Sequence, residues 1–323
     1  MVNSQTRSDG PGSSIPSTHP DWMLDRRIIG HDPLDLTIVS SDLVHFHVHS
    51  HRLLANSSNN FNGRLSHPLS SHLDGHDFPT LKEAESGRIL NVVLHVIYGT
   101  TEHIRSSQTT LSLTDILSVI STLQLYGISI RGVADPSSAL FDAIVAHCPY
   151  SPLAVYIIGA KYNQDLHHIA KHASQYLLSL DLSSISDEAA SDMGSVYLKR
   201  LVLLHTTRIR EFKRIVSQSP PLHTPQQSCD STPLARVWGL GSAYLAWIAS
   251  ADVEESVIDN IIGQLEAKLP CDACKAILRE KGQRLTRDWA AVTVSILFAF
   301  FIETNGHEYK MLKLAFLENH FIT

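Results

Sequence analysis

The sequence predicts an α+β fold in its first part, followed by an all-α region. Three observations carry this reading. Val44, Phe46 and Val48 alternate with His45, His47 and His49, the period of two of a half-buried strand. From Leu153 onward, apolar residues recur at helical spacing. Residues 217–233 (SQSPPLHTPQQSCDSTP) break that helical stretch with a Pro- and Ser-rich segment, read as an exposed linker or long loop.

The elements follow in order. The N-terminal start is rich in Ser, Gly and Pro without apolar periodicity, so residues 1–30 are read as a disordered tail, with order beginning near Trp22. Leu34 to Val39 suits a strand, Asp42 turns the chain, and the alternating run completes a β-hairpin. Leu53-Leu54-Ala55 and Phe61 suggest a short helix, and residues 63–80 a loop. Ile89, Val92, Val93, Val96 and Ile97 fit a helix with one apolar face, ended by Tyr98-Gly99. Thr114 is the expected N-cap of the next helix, which Gly127 stops.

A second half begins near Asp135-Pro136. Helices are expected at Leu153–Ala160, Leu166–Leu178 and Val196–Val216, the last with a stripe of Tyr197, Leu201, Leu204, Phe212 and Ile215. Beyond the Pro-rich segment, helical patterns cover Leu234–Ile248, Val253–Leu269, Ala273–Glu280 and Trp289 onward. Trp289 to Ile302 (WAAVTVSILFAFFI) is apolar, but at about 14 residues it is shorter than the ~20 of a membrane span, so a buried helix is expected.

Composition narrows the class. The 323 residues carry 26 Lys and Arg against 32 Asp and Glu, for a net charge of −6, with 43% hydrophobic and 18% charged residues. A coiled coil would be more charged, a disordered chain less apolar, and a general nucleic-acid binder net basic. Four cysteines are too few for a disulfide scaffold. The N-terminus has no apolar signal-peptide core, so an intracellular setting, cytoplasmic or nuclear, is expected. The glycosylation match at Asn56-Ser57-Ser58 is then accidental.

The count of 19 His raises the question of metal binding. His45, His47, His49 and His51 share a strand, but side chains along a strand diverge where a tetrahedral metal needs convergence. His168 and His172 lie four apart on a predicted helix beside His167, yet Ile169 stands where a zinc-protease helix needs Glu. Cys271-x-x-Cys274 is a single pair, read as two buried or half-buried thiols near a helix start; the alternative is a zinc site completed by Cys229 and a His. Gly239-Leu240-Gly241-Ser242 is a weak phosphate-loop signal, with no strand before it. Lys199, Arg200, Arg208, Arg210, Lys213 and Arg214 form one basic cluster, read as the solvated side of a helix. No Walker lysine and no Gly-x-Ser-x-Gly elbow occurs, so no catalytic, cofactor-binding or metal-binding residue is assigned and no enzyme activity is expected.

Five short blocks, in order, resemble the BTB/POZ domain. These are Asp35 to Asp42, Phe46 to His49 with Leu53 and Leu54, Ser58 with Phe61, Val96-Ile97-Tyr98, and Tyr126-Gly127-Ile128. The resemblance covers residues 31–131; it departs at Gly99, where the family usually has Pro, and matches poorly over the loop from Asn62 to Thr80. The second half resembles the helical region that follows this domain in many basidiomycete fungal proteins, at Pro152 to Tyr156, Ala160 to Tyr162, Tyr197 to Leu201 with His205, and the Cys271–Cys274 pair. It is divided into a helical region at 136–216, the linker at 217–233 and a C-terminal helical region at 234–323. In this resemblance His49 is the strand-end histidine.

The resemblance implies a non-enzymatic interaction protein: a homodimerising adaptor or scaffold. Its partners would be proteins, such as a cullin-type ubiquitin ligase or transcriptional co-regulators, with no small-molecule substrate and no membrane. Dimer contacts are expected on the exposed face of about Leu53 to Phe61. The second reading is a transcription-linked regulator that contacts nucleic acid through the basic helix 199–214 or a Cys/His zinc site.

Overall fold

The computed structural model describes residues 17–18, 32–66, 78–100, 111–225 and 229–302, and the side chains of all of these except 17–18, 163–164 and 293–302. Apart from Ser17 and Thr18, the residues read as an N-terminal tail lie outside the described residues, as do 67–77 of the expected loop. The chain divides into two compact units, Met1–His147 and Cys148–Thr323.

The first unit is α+β. The alternating run becomes strand β3 (Val44–Val48), antiparallel to β2 (Leu36–Val39), with Ile38 opposite Phe46. Both of these side chains are fully buried, whereas His45 and His47 are half-buried on the other face. A short strand β4 (Thr80–Lys82) lies parallel to β2 on its far side, and a two-residue strand β1 (Ser17–Thr18) pairs with β3. β4 begins inside the segment read as a loop. Only its middle residue, Leu81, is even half-buried, so it has no periodicity to read.

Helix α1 (Ser50–Asn56) follows β3. It ends before Phe61, which belongs instead to a left-handed turn, Asn60 to Gly63, in which four successive residues have positive φ. Left-handed backbone costs an L-residue such as Phe about 1–2 kcal/mol. The turn swings Phe61 inward onto Tyr126, the rings stacked at 3.9 Å. Burial of both aromatic faces offsets the strain.

Helix α2 (Gly87–Tyr98) ends as the sequence suggested, with Gly99 in the left-handed conformation that caps a helix. Its apolar face is broad, leaving exposed Arg88 and half-buried Asn91 and Tyr98 on one polar side. Ile89, Leu90, Val92, Val93, Leu94, Val96 and Ile97 are all buried, making it the centre of the unit. That burial outweighs the weak helix propensity of its five valine and isoleucine residues. The next helix, α3 (Leu113–Leu125), is capped not by Thr114 but by Ser112, whose hydroxyl accepts from Asp115 N–H while Asp115 accepts from Ser112 N–H. The reciprocal pair satisfies two donors at once, which Thr114 could not do from inside the first turn. The short helices α4 (Ile130–Val133) and α5 (Ala139–Val145) complete the unit.

Long-range hydrogen bonds lock these elements together. The Asp35 carboxylate accepts from Ser50 N–H at 2.7 Å and from the Ser50 hydroxyl at 2.5 Å, tying β2 to the start of α1. The Tyr98 hydroxyl accepts from His49 N–H at 2.8 Å and lies 3.0 Å from His49 Nδ1. Ser57 and Ser58 donate to the carbonyls of Tyr126 and Gly127.

The second unit is all-α. α6 (Pro152–Lys161) and α7 (Asn163–Ser174) cross closely at Gly159, where an added Cβ would lie 2.4 Å from Ala170 N. α8 (Asp187–Ser217) is interrupted at Gly194, and its stripe of Tyr197, Leu201, Leu204, Phe212 and Ile215 is buried. α9 (Thr232–Trp247), α10 (Glu255–Glu266) and α11 (Asp272–Ile302) follow. α11 is one helix where the sequence suggested two: Lys281 to Asp288 between them contain no Pro, and Gly282 is held in the helix where Ile262 of α10 packs against it. One core holds Phe212, Ile215, Leu234, Trp238, Ile258, Leu278 and Trp289, so helices before and after the Pro-rich segment pack as one body. Among the described residues, no helix is long and apolar enough to cross a membrane.

Candidate functional site

The described residues of the Pro-rich segment between α8 and α9, 218–225 and 229–231, are anchored at several points. Pro220 is buried, and Ser231, 1% exposed, donates its hydroxyl to His223 O. This folds the segment back over the start of α11, where Cys271 precedes the helix and Cys274 lies in its first turn. The Lys275 N–H bonds to Cys271 O, closing that turn. The CxxC spacing therefore points both sulfurs the same way, toward the loop.

His223 and Cys229 meet them there. The Cys229 and Cys274 sulfurs are 3.6 Å apart, and His223 Nε2 lies 3.1 Å from Cys274 Sγ and 3.7 Å from Cys271 Sγ. The four ligand-capable atoms all lie within 4.8 Å of one another. All four cysteines of the chain are free thiols. Cys274 is fully buried and Cys229 is 9% exposed, while His223 and Cys271 are half-buried at the rim.

The electrostatics are unequal. The backbone N–H groups of Cys274 and Ala273 point at Cys271 and hold its thiol at about 7, below the ordinary 9.0. Burial, and then the neighbouring Cys229 and Cys271 thiols, push Cys274 up to about 12. Three sulfurs this close cannot all ionise without a cation among them. On the other side of the imidazole, His223 Nδ1–H donates to Thr224 O at 2.8 Å. This leaves the Nε2 lone pair directed at the sulfurs.

The remaining candidates are dispersed into structural roles. His49 is fully buried between Tyr98 and the Asp32 carbonyl, His47 contacts Thr37 Oγ1, and His51 sits near Asp32. His167 Nδ1 bonds the Tyr197 hydroxyl, and His172 stacks beside Tyr176. His205 donates from Nε2 to Leu177 O, and its burial lowers its pKa. The basic cluster does not form one patch. Arg200 lies over the Tyr197 ring, and Arg208 is buried, bonded to Ala251 O and stacked on Trp289. Arg210 and Arg214 both pair with Glu211. Gly239 to Ser242 lies within α9, where Gly241 admits Leu265 of α10 at a distance no Cβ would allow, so it is a packing site and not a phosphate loop.

Cys229 was the sulfur that the sequence offered to complete the pair; the histidine was not identifiable from it. His223-x5-Cys229 is not a standard ligand spacing, and it lies in a segment whose composition reads only as loop. No protein-family model matches the chain, and comparison with curated proteins and with solved structures finds no match.

Proposed function

We propose that the protein is a non-enzymatic protein–protein interaction module, a dimerising adaptor or scaffold whose N-terminal unit is BTB/POZ-like. The supporting observation is that the blocks quoted for that resemblance, scattered over 94 positions of sequence, interlock in space. Asp35 bonds Ser50, His49 bonds Tyr98, Phe61 stacks on Tyr126, and Ser58 bonds Gly127. At least one residue of every block is thus held by a residue of another block or by a helix start.

The surface expected to carry the dimer needs revision. Leu53 and Phe61 are fully buried, and the outward-facing residues of that stretch are Ala55, Asn56, Ser58, Asn59 and Asn60. A dimer through this face would therefore be polar. The second unit carries an apolar stripe on α9. Leu240, Tyr244 and Trp247 recur at i, i+4 and i+7 and are 68%, 55% and 86% exposed, as is usual where proteins associate. Protein partners of the classes named above, a cullin-type ligase or co-regulators, fit this reading. The nucleic-acid reading is less favoured, since Arg200 and Arg208 are turned into the protein.

Light scattering on the full chain tests the proposal. A dimer mass that persists on dilution into the low micromolar range supports it. A monomer throughout, together with affinity capture that yields no stoichiometric protein partner, would refute it.

A further inference from the structure

We propose that His223, Cys229, Cys271 and Cys274 form a structural zinc site that staples the loop between α8 and α9 to the N-terminus of α11. This inference is independent of the interaction reading. It rests on four observations that converge on one point.

The first is geometry. Tetrahedral zinc, with Zn–S near 2.3 Å and Zn–N near 2.0 Å, requires sulfurs about 3.8 Å apart and sulfur–nitrogen edges of about 3.5 Å. The one short S–S edge of 3.6 Å is within 0.2 Å of its value, the two S–N edges of 3.1 and 3.7 Å bracket theirs, and all six edges are within 4.8 Å, so an ion fits with side-chain shifts of at most about 1 Å. The second is the donor set. Three thiols and one imidazole make a Cys₃His site with no position left for water or substrate, the closed form of structural zinc. Soft sulfur donors exclude magnesium and calcium.

The third observation is the support around the ligands. His223 Nδ1–H is held by the Thr224 carbonyl, which fixes the tautomer a metal needs at Nε2. The Cys271 sulfur receives backbone N–H groups from Ala273 and Cys274 at a helix start, where negative charge is favoured. Three thiolates and Zn²⁺ sum to one net negative charge, which these donors stabilise. The fourth is placement. Cys229 and Cys274 are part of the hydrophobic core that also holds Leu234, Leu278 and Trp238. Binding would close a loop that otherwise relies on few apolar anchors, so metal affinity would become folding stability.

Two other uses of these groups are less compatible with the arrangement. A nucleophilic Cys–His pair needs one thiol facing one base, but Nε2 is shared between Cys271 and Cys274. A Cys229–Cys274 disulfide would require the sulfurs to close from 3.6 Å to about 2.05 Å, and would leave Cys271 and His223 without their partners.

The test is metal content of the full chain, purified without chelator and with thiols kept reduced. About one equivalent of zinc per chain is expected. Cys229→Ser and Cys274→Ser should each lower it at least tenfold. Cys148→Ser, outside the cluster, should leave it unchanged, and His223→Cys should retain it. Because a ligand variant may fail to fold, the wild-type chain is also exchanged with cobalt. The intense visible bands of tetrahedral Co²⁺, with a near-ultraviolet thiolate band, support the site. Absence of both zinc and these bands in the folded chain overturns it. So does a Cys229–Cys274 disulfide in the isolated protein, or zinc that persists in Cys229→Ser and Cys274→Ser.

Discussion

The buried contact between Asp35 and Ser50 gives the sharpest test of how the first unit is held. Replacing Asp35 with Ala removes the carboxylate that accepts from the buried Ser50 N–H and hydroxyl. Hydrogen bonds to a charged group contribute about 1.5–3 kcal/mol, and an orphaned buried donor costs about 1–3 kcal/mol. These overlap because they describe the same two groups, so a total of about 3 kcal/mol is expected. Asp35→Asn keeps the shape and one acceptor, and the Ser50 hydroxyl can turn to accept from the new amide, so its cost should be about 1 kcal/mol. Hydrogen exchange read by mass spectrometry localises the effect. Peptides spanning β2–β3 and α2 should exchange roughly a hundredfold faster in Asp35→Ala and about fivefold faster in Asp35→Asn, while peptides of α8 are unchanged. If Asp35→Ala changes exchange by less than fivefold, or if the two variants are equally damaging, this account of the contact is wrong.

Two further outcomes can be checked in the second unit. Gly159→Ala places a methyl carbon 2.4 Å from Ala170 N and 2.8 Å from Ala170 Cβ. Backbone cannot swing aside, so α6 and α7 must separate, lowering the thermal midpoint of this unit by about 5 °C in a circular-dichroism melt; an unchanged midpoint would show that the crossing is looser. His205 has its pKa lowered from 6.5 by burial, so the unfolded chain binds the proton more tightly than the folded one. Stability is then fully present above pH 6.5 and falls as the pH drops below it. Urea melts at pH 7.5 and 5.5, followed by Trp fluorescence, should show that loss, and His205→Gln, whose amide can still donate to Leu177 O, should reduce it.

The aromatic pair Phe61–Tyr126 and the buried helix α2 show where local reading stops. The hairpin was legible because burial of one face imposes a period of two on β3. Helices in the second unit were legible because a buried stripe imposes its own period, as Tyr197 to Ile215 does on α8. Helix α2 shows its existence and its apolar face, since Arg88, Asn91 and Tyr98 mark the polar side, but its depth in the unit depends on what packs around it. Strand β4 has three residues and one half-buried side chain, too little for any pattern. The cap on α3 moved by two residues because Ser112 and Thr114 are equally good local candidates, and only the reciprocal bond with Asp115 separates them.

By itself, then, the sequence determined the class of the fold, the hairpin, most helices and the Cys271–Cys274 pair, because each is encoded by neighbours within a few residues. The tertiary structure alone decided that the Pro-rich segment lies against the core, and that His223 and Cys229 arrive at the sulfurs of α11. Those encounters span some fifty positions of chain, and no local periodicity records them. They are set by how α8, α9 and α11 pack around one core, which brings the loop ends together and leaves its sulfur and imidazole nowhere else to point.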